Sequence, residues 1–175
     1  LFKKYKDEIF ARNCTSNAVY RLSIAEGFQD GNVIFSDDSK AALFWHYCGF
    51  AYLSGSVKES FLEKVYQDYF VKDTERRFVL ITDNSKAIEF FSDKDDIVID
   101  KRVEYRFVDV RMSAPECKYK VEPISANNYD RIHGNIIPTF SWASKEQFLK
   151  NGFGFVALDG DKDIAVAFSA AVSSD

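Results

Sequence analysis

Alternation of apolar and polar positions marks the strands of this chain, and a 3.6-residue spacing marks its helices. Asn32–Phe35 reads as a strand, and Asp37-Asp38-Ser39 after it as a tight turn, because Asp and Ser side chains bond their own nearby backbone. Ala41–Leu53 is a long apolar and aromatic run, expected as the hairpin partner, buried on both faces in places, with Gly49 marking a bulge. Ser56 followed three residues later by Glu59 has the form of a capping box. Val57, Phe61, Leu62, Val65 and Tyr69 then fall at helical spacing, which predicts a helix over Val57–Phe70. Arg77–Thr82 is predicted as a short strand. Asp83 or Asn84 is placed to cap a helix over Ser85–Phe91. Ile97–Ile99 and Arg102–Val110 alternate as strands, with Val103, Tyr105 and Phe107 on one face. Residues 4–12 and 15–26 have mixed spacing and read as helical, the second capped by Thr15 or Asn17.

Periodicity lapses at Met112–Glu116, where Pro115 holds its neighbour extended, so this stretch reads as a linker. Beyond it, Tyr119–Ile124 is expected as a strand. Ser125 is expected to cap a helix running to His133, with Gly134 ending it. Ser144–Asn151 is a short amphipathic segment. Two apolar strands follow, Phe153–Leu158 and Ile164–Val172, joined by Asp159-Gly160-Asp161-Lys162. The order predicts an α/β protein of the α+β type, with mixed, mostly antiparallel sheets flanked by helices. It divides into an α/β domain over residues 1–112 and a second unit over 113–175.

Composition and charge sharpen this reading. With 17 Phe and 9 Tyr, aromatics are the main filling of the core. A net charge of −4, with Lys and Arg scattered no further than pairs such as Arg76-Arg77, speaks against nucleic acid as a partner. No apolar run reaches the length of a membrane span and no secretory leader follows Leu1, so the expectation is a cytoplasmic protein without a membrane partner. Cys14, Cys48 and Cys117 are far apart and form no C-x-x-C, which predicts reduced, mostly buried thiols and no metal site. Asp93–Asp96 lacks the ligand spacing of a calcium loop and reads as a solvated turn.

The most specific pattern lies in the last third. Tyr119–Ile124, Ile136-Ile-Pro-Thr-Phe-Ser-Trp142, Phe148-Leu-Lys-Asn-Gly-Phe-Gly-Phe155 and Leu158-Asp-Gly160 together resemble the bacterial GNAT acetyltransferase family. The resemblance implies an acyl-CoA N-acyltransferase-like fold. It also implies transfer of an acetyl group from acetyl-CoA to an amine acceptor, a small molecule or a peptide. Such chemistry needs a base to keep the amine neutral, N–H donors for the oxyanion, and an acid for the CoA thiolate. The pyrophosphate needs backbone N–H groups at a helix N-terminus. In the superfamily that cradle is an Arg/Gln-x-x-Gly-x-Gly/Ala loop after the fourth strand. The nearest internal match, His46-Tyr-Cys-Gly-Phe-Ala51, sits in an apolar strand pattern. Residues 113–175 are therefore expected to be the first half of the catalytic domain, inactive alone, and no residue is assigned to catalysis or to cofactor phosphates.

The loop carrying Phe140, Ser141 and Trp142 borders the acceptor site in proteins of this fold, so these residues, with Ser169 on the last strand, are the candidates for substrate binding. Asp130 and His133, three apart, are expected to pair locally, and His46 to be a satisfied core histidine. The rival reading is a non-catalytic ligand- or partner-binding module that uses the aromatic cluster Trp45–Tyr52. The apolar last strand is expected to leave an open sheet edge, which favours a homodimer.

Overall fold

In a computed structural model of the chain, residues 18–103, 105 and 116–174 are described. The expected helix over 4–12, the caps Thr15 and Asn17, Cys14, most of the linker, the 112/113 boundary and the strand residues 106–110 lie outside them. Helix α1 (Ala18–Glu26) ends at Gly27, whose φ of 77° turns the chain toward β1 (Gly31–Phe35). Then come β2 (Ala41–His46), β3 (Phe50–Gly55), α2 (Glu59–Tyr66), β4 (Val79–Ile81) and α3 (Ser85–Ser92). The strands form one sheet in the order β1-β2-β3-β4, antiparallel except for the parallel pair β3 and β4.

Both faces of this sheet are covered, which explains why Ala41–Leu53 reads as one unbroken apolar run. Ala41, Leu43 and Ala51 pack beneath Phe61, Leu62 and Val65 of α2 and Ala87 and Phe91 of α3. Ala42, Phe44, Phe50 and Tyr52 face the other way, with Ile24 and Tyr20 of α1. The run is not one strand, however. It is two strands joined at Tyr47–Gly49, and Gly49 is a turn residue at φ 92° rather than a bulge. A Cβ there would lie 2.5 Å from the Arg77 carbonyl, and Val79 N–H donates to the Gly49 carbonyl at 2.9 Å. Glycine is required because the chain must both reverse and admit the entering β4 segment.

The capping box is also corrected. Helix α2 begins two residues late, with Lys58 at the N-cap and no side-chain cap, because the Ser56 N–H is spent on the Lys40 carbonyl at 2.8 Å. At its far end α2 widens into a π-helical turn over Gln67–Val71, where Asp68 accepts from Lys64 and Lys72, each at 2.6 Å. Asn84 caps α3 as expected, its Oδ1 accepting from Ala87 N–H at 3.1 Å. Ile97–Ile99 is not a strand. Val98 and Ile99 are exposed, and no described strand runs beside them to take their backbone hydrogen bonds.

The second sheet is β5 (Lys120–Pro123), β6 (Gly154–Asp159) and β7 (Lys162–Phe168), antiparallel and in that order. Between β5 and β6 lies α4 (Lys145–Asn151), capped by Ser144 Oγ, which accepts from Gln147 N–H at 3.1 Å. The helix expected over 125–133 is absent, leaving a 3-10 turn at Tyr129–Arg131. Asn128 explains the difference. Its Oδ1 accepts from Ser125 N–H at 2.7 Å and its Nδ2 donates to the Pro123 carbonyl at 2.9 Å. A buried amide thus takes the backbone groups a helix start would use. Strand β7 stops at Phe168, short of the expected Val172, because the next carbonyls are claimed from elsewhere: Ser169 by Trp142 and Ala170 by Gln29. Among the described residues β7 pairs only with β6, so its outer edge is open.

Candidate functional site

The loop before α4 is built around Pro138. It opens a 3-10 turn at Pro138–Phe140, where its missing N–H costs nothing. Its carbonyl accepts from Ser141 N–H at 3.1 Å and Trp142 N–H at 3.0 Å, and this drives Trp142 inward. Trp142 is 0% exposed. Its Nε1–H donates to the Ser169 carbonyl at 2.8 Å, and its ring lies edge-on to Phe148 at 5.6 Å. Gly152 makes room, since a Cβ there would come within 2.8 Å of the indole.

Two of the sequence candidates, Trp142 and Ser169, are therefore brought together, by a bond internal to the protein. Ser169 Oγ sits on the backbone of Phe153, accepting from its N–H at 3.0 Å. Ser141 is fully buried, its carbonyl hydrogen-bonded while its Oγ has no partner. Phe140 is half-buried and meets Phe50 of the first sheet edge-on at 6.4 Å. Of the four, Phe140 presents part of its ring at the junction of the two sheets.

Gln29, which the sequence pattern did not single out, holds this junction. It is 3% exposed. Its Nε2 donates to the Ser141 carbonyl at 2.9 Å and the Ala170 carbonyl at 3.0 Å, and its Oε1 accepts from Ser23 Oγ at 2.7 Å. Asn151 Nδ2 adds a bond to the Phe28 carbonyl at 3.1 Å, and Gln147 Nε2 one to Asp30 at 3.1 Å. No local periodicity distinguishes a glutamine in a short loop, so its role became visible only once the sheets were docked. Gln29→Leu, close in volume, takes the donor from the buried Ser141 carbonyl and the part-buried Ala170 carbonyl. It is expected to cost about 2 kcal/mol of stability in urea denaturation. A loss below a few tenths would show that water replaces the amide.

The other sequence candidates fall away from the junction. Asp130 pairs with Lys145 of α4 and not with His133, because the lysine reaches over it while also donating to the Ala126 carbonyl at 3.0 Å. Asp38 accepts from Lys58 at 2.7 Å and from Ser36 Oγ at 2.8 Å, and these bonds hold its carboxyl well below the usual range. The cleft it lines with Lys58 and Ser60 thus has its central charges matched. Of the thiols, Cys48 is buried as expected and Cys117 is exposed.

His46 is fully buried but only half satisfied, which corrects the expectation. Its Nδ1 accepts from Cys48 N–H at 3.2 Å and lies 3.1 Å from Cys48 Sγ, so the hydrogen belongs on Nε2, which has no partner. Burial, aided by the Arg76 guanidinium and opposed by Asp30, pushes its pKa down to about 4. The same burial raises the Cys48 thiol. Imidazole and thiol are both neutral near pH 7, so the pair is not an activated nucleophile.

A cradle for the CoA pyrophosphate would need free N–H groups at a helix start in cationic surroundings. Asn84 takes one N–H at the start of α3 and Ser144 one at the start of α4, and the start of α2 lies beside Asp37 and Asp38. No described residue is assigned to that group, and no step of a transfer is routed through one.

Comparison with known proteins decides the family. The profile of the GNAT acetyltransferase family matches residues 7–175. The chain belongs to the GNAT acetyltransferase family. A GCN5-related N-acetyltransferase-like protein from Streptococcus suis is similar in structure, with a TM-score of 0.62 at 17% identity, over 99% of this chain and 71% of that one. At that identity the likeness concerns the fold, and it agrees with the mixed, mostly antiparallel sheets flanked by helices seen here. No curated protein matches. The GNAT match runs across both sheets, so the Gln29 junction lies inside the family's own extent. No helix among the described residues is long and apolar enough to cross a membrane.

Proposed function

We propose that the protein transfers an acetyl group from acetyl-CoA to an amine carried by a small molecule or peptide, in the cytoplasm of a bacterium. The observation that carries this reading is the family match over residues 7–175, which spans the first sheet as well as the second. Residues 1–112 then form an N-terminal domain and residues 113–175 the first part of the transferase domain. Phe140 supports the acceptor side of the reading, because its half-buried ring at the junction is an apolar wall for a substrate. Ser141 and Trp142, its buried neighbours in the chain, are fixed by bonds to Gln29 and to the Ser169 carbonyl, which hold the loop that carries the ring.

Calorimetric titration of the whole protein with acetyl-CoA, followed by a thiol-release assay over a panel of amines, tests this. Saturable binding and amine-dependent release of CoA are expected. Binding without release from any amine would favour a binding module instead, and absence of both would remove the transferase reading.

A further inference from the structure

Among the described residues the two sheets keep separate hydrophobic cores. Tyr129, Trp142 and Phe148, with Ile124, Phe168 and Val172 packed against them, fill the core of the second sheet and α4. The cores on the two faces of the first sheet are filled from residues 20–97, and Phe140 is the one side chain that joins them from the second unit. A large shared apolar interface is what locks two units against relative movement. Where it is missing, movement is the expectation.

What crosses the junction is mostly polar, and it converges on one short segment. Gln29 donates to the Ser141 and Ala170 carbonyls. Asn151 reaches the Phe28 carbonyl and Gln147 reaches Asp30. These two side chains stand four residues apart on α4, so they leave one face of the helix. Ser174 donates to Glu26 from its N–H and from its Oγ, each at 2.8 Å. On the side of the first sheet the attachments therefore run along Glu26–Asp30. That segment is itself fixed to α1, because Phe28 N–H donates to the Ser23 carbonyl at 2.9 Å and Gln29 N–H to the same carbonyl at 3.3 Å. The result is a rigid line of attachment, with a buried bond at Gln29 and exposed ones at Glu26 and Asp30. Exposed hydrogen bonds exchange for bonds to water at little net cost, so the ends of the line give way before its centre.

The aromatic contact lies off this line. Phe140 meets Phe50 on β3, and β3 stands two strands away from β1, roughly 10 Å across the sheet. We propose that the junction is a hinge: the second sheet and α4 swing as one body about Glu26–Asp30, pinned at Gln29, and Phe140 meets or leaves Phe50 as the joint closes or opens. A few loop residues serving as the axis of a domain movement is the usual form of such a device. The swing sets the gap beside Phe140. Its use in admitting an acceptor rests on the transferase reading, whereas the hinge itself rests on the packing alone.

Residual dipolar couplings of the backbone amides in the whole, weakly aligned protein test this without any ligand. The amides of β1–β3 are expected to fit one alignment tensor and those of β5–β7 a second tensor of smaller magnitude. The double variant E26A/Q147A removes the exposed bonds at both ends of the line and leaves both cores intact. It should keep its melting temperature and widen the difference in magnitude. One tensor of a single magnitude fitting both sheets of the parent, or an unchanged difference in the variant, would overturn the hinge.

Discussion

Trp142→Ala is expected to remove about 4 kcal/mol of stability, within the range for emptying a fully buried indole site. The side chain is 0% exposed, and Phe148 on one side and Gly152 on the other leave no flexible neighbour to fill the gap. The substitution also leaves the Ser169 carbonyl without its donor. Trp142→Phe keeps most of the volume and should lose less, about 2 kcal/mol. Urea denaturation measures both. The chain has 2 tryptophans, so in Trp142→Ala the fluorescence of Trp45 reports on the first sheet alone. If Gln29 couples the sheets as its bonds indicate, the Trp45 transition should move to lower urea together with the far-ultraviolet signal. A stable first sheet with an early second transition would show that they unfold independently. A loss under 1 kcal/mol would mean that Trp142 is not the keystone of the second core.

The second large effect is a fall in stability on mild acidification. His46 is buried and neutral, with a pKa near 4 in the folded protein against 6.5 when free. Between those values the unfolded chain binds a proton that the folded protein does not. The contribution of His46 is therefore complete above pH 6.5 and lost progressively as pH falls toward 4. At roughly 1.4 kcal/mol per pH unit the loss approaches about 3 kcal/mol. Carboxylates held down by partners, such as Glu122 and Asp68, add loss of the same sign lower in the range. Comparison with His46→Leu separates the terms: the stability of the parent relative to the variant should fall by the amount His46 contributes as pH drops from 6.5 to 4. Parallel profiles would show that the imidazole is protonated in the folded state, with Asp30 outweighing burial and Arg76.

Both effects arise where sequence and structure diverge. The sequence reads Trp142 as an aromatic bordering an acceptor site, and the structure buries it completely. Whether an indole faces substrate or core depends on a hydrogen bond to Ser169, 27 residues away. His46 read as a satisfied core residue because its neighbours are apolar and aromatic. That one ring nitrogen is paired and the other orphaned follows from the turn that returns Cys48 to it. Period-two patterns located β1, β4, β5 and β6 closely, because alternation reflects which face meets a core. It failed over Ala41–Leu53, where both faces are covered and no polar position marks the turn. It also over-predicted Ile97–Ile99, since alternation records a side-chain pattern and says nothing about whether a partner strand is present.

Local chemistry, by itself, determined the capped starts of α3 and α4, the turn at Asp37–Ser39, the strands β1, β4, β5 and β6 and the motif that placed the chain in its family. Each rests on residues within a few positions of one another, so the sequence contains the whole interaction. Tertiary structure alone decided what spans long separations: the parallel docking of β4 on β3, the Gln29 bridge to Ser141 and Ala170, and the meeting of Arg77 and Arg102 on Phe50. Those contacts depend on how sheets and loops close on each other, a geometry fixed by burial of the whole apolar surface and carried by no single stretch of chain.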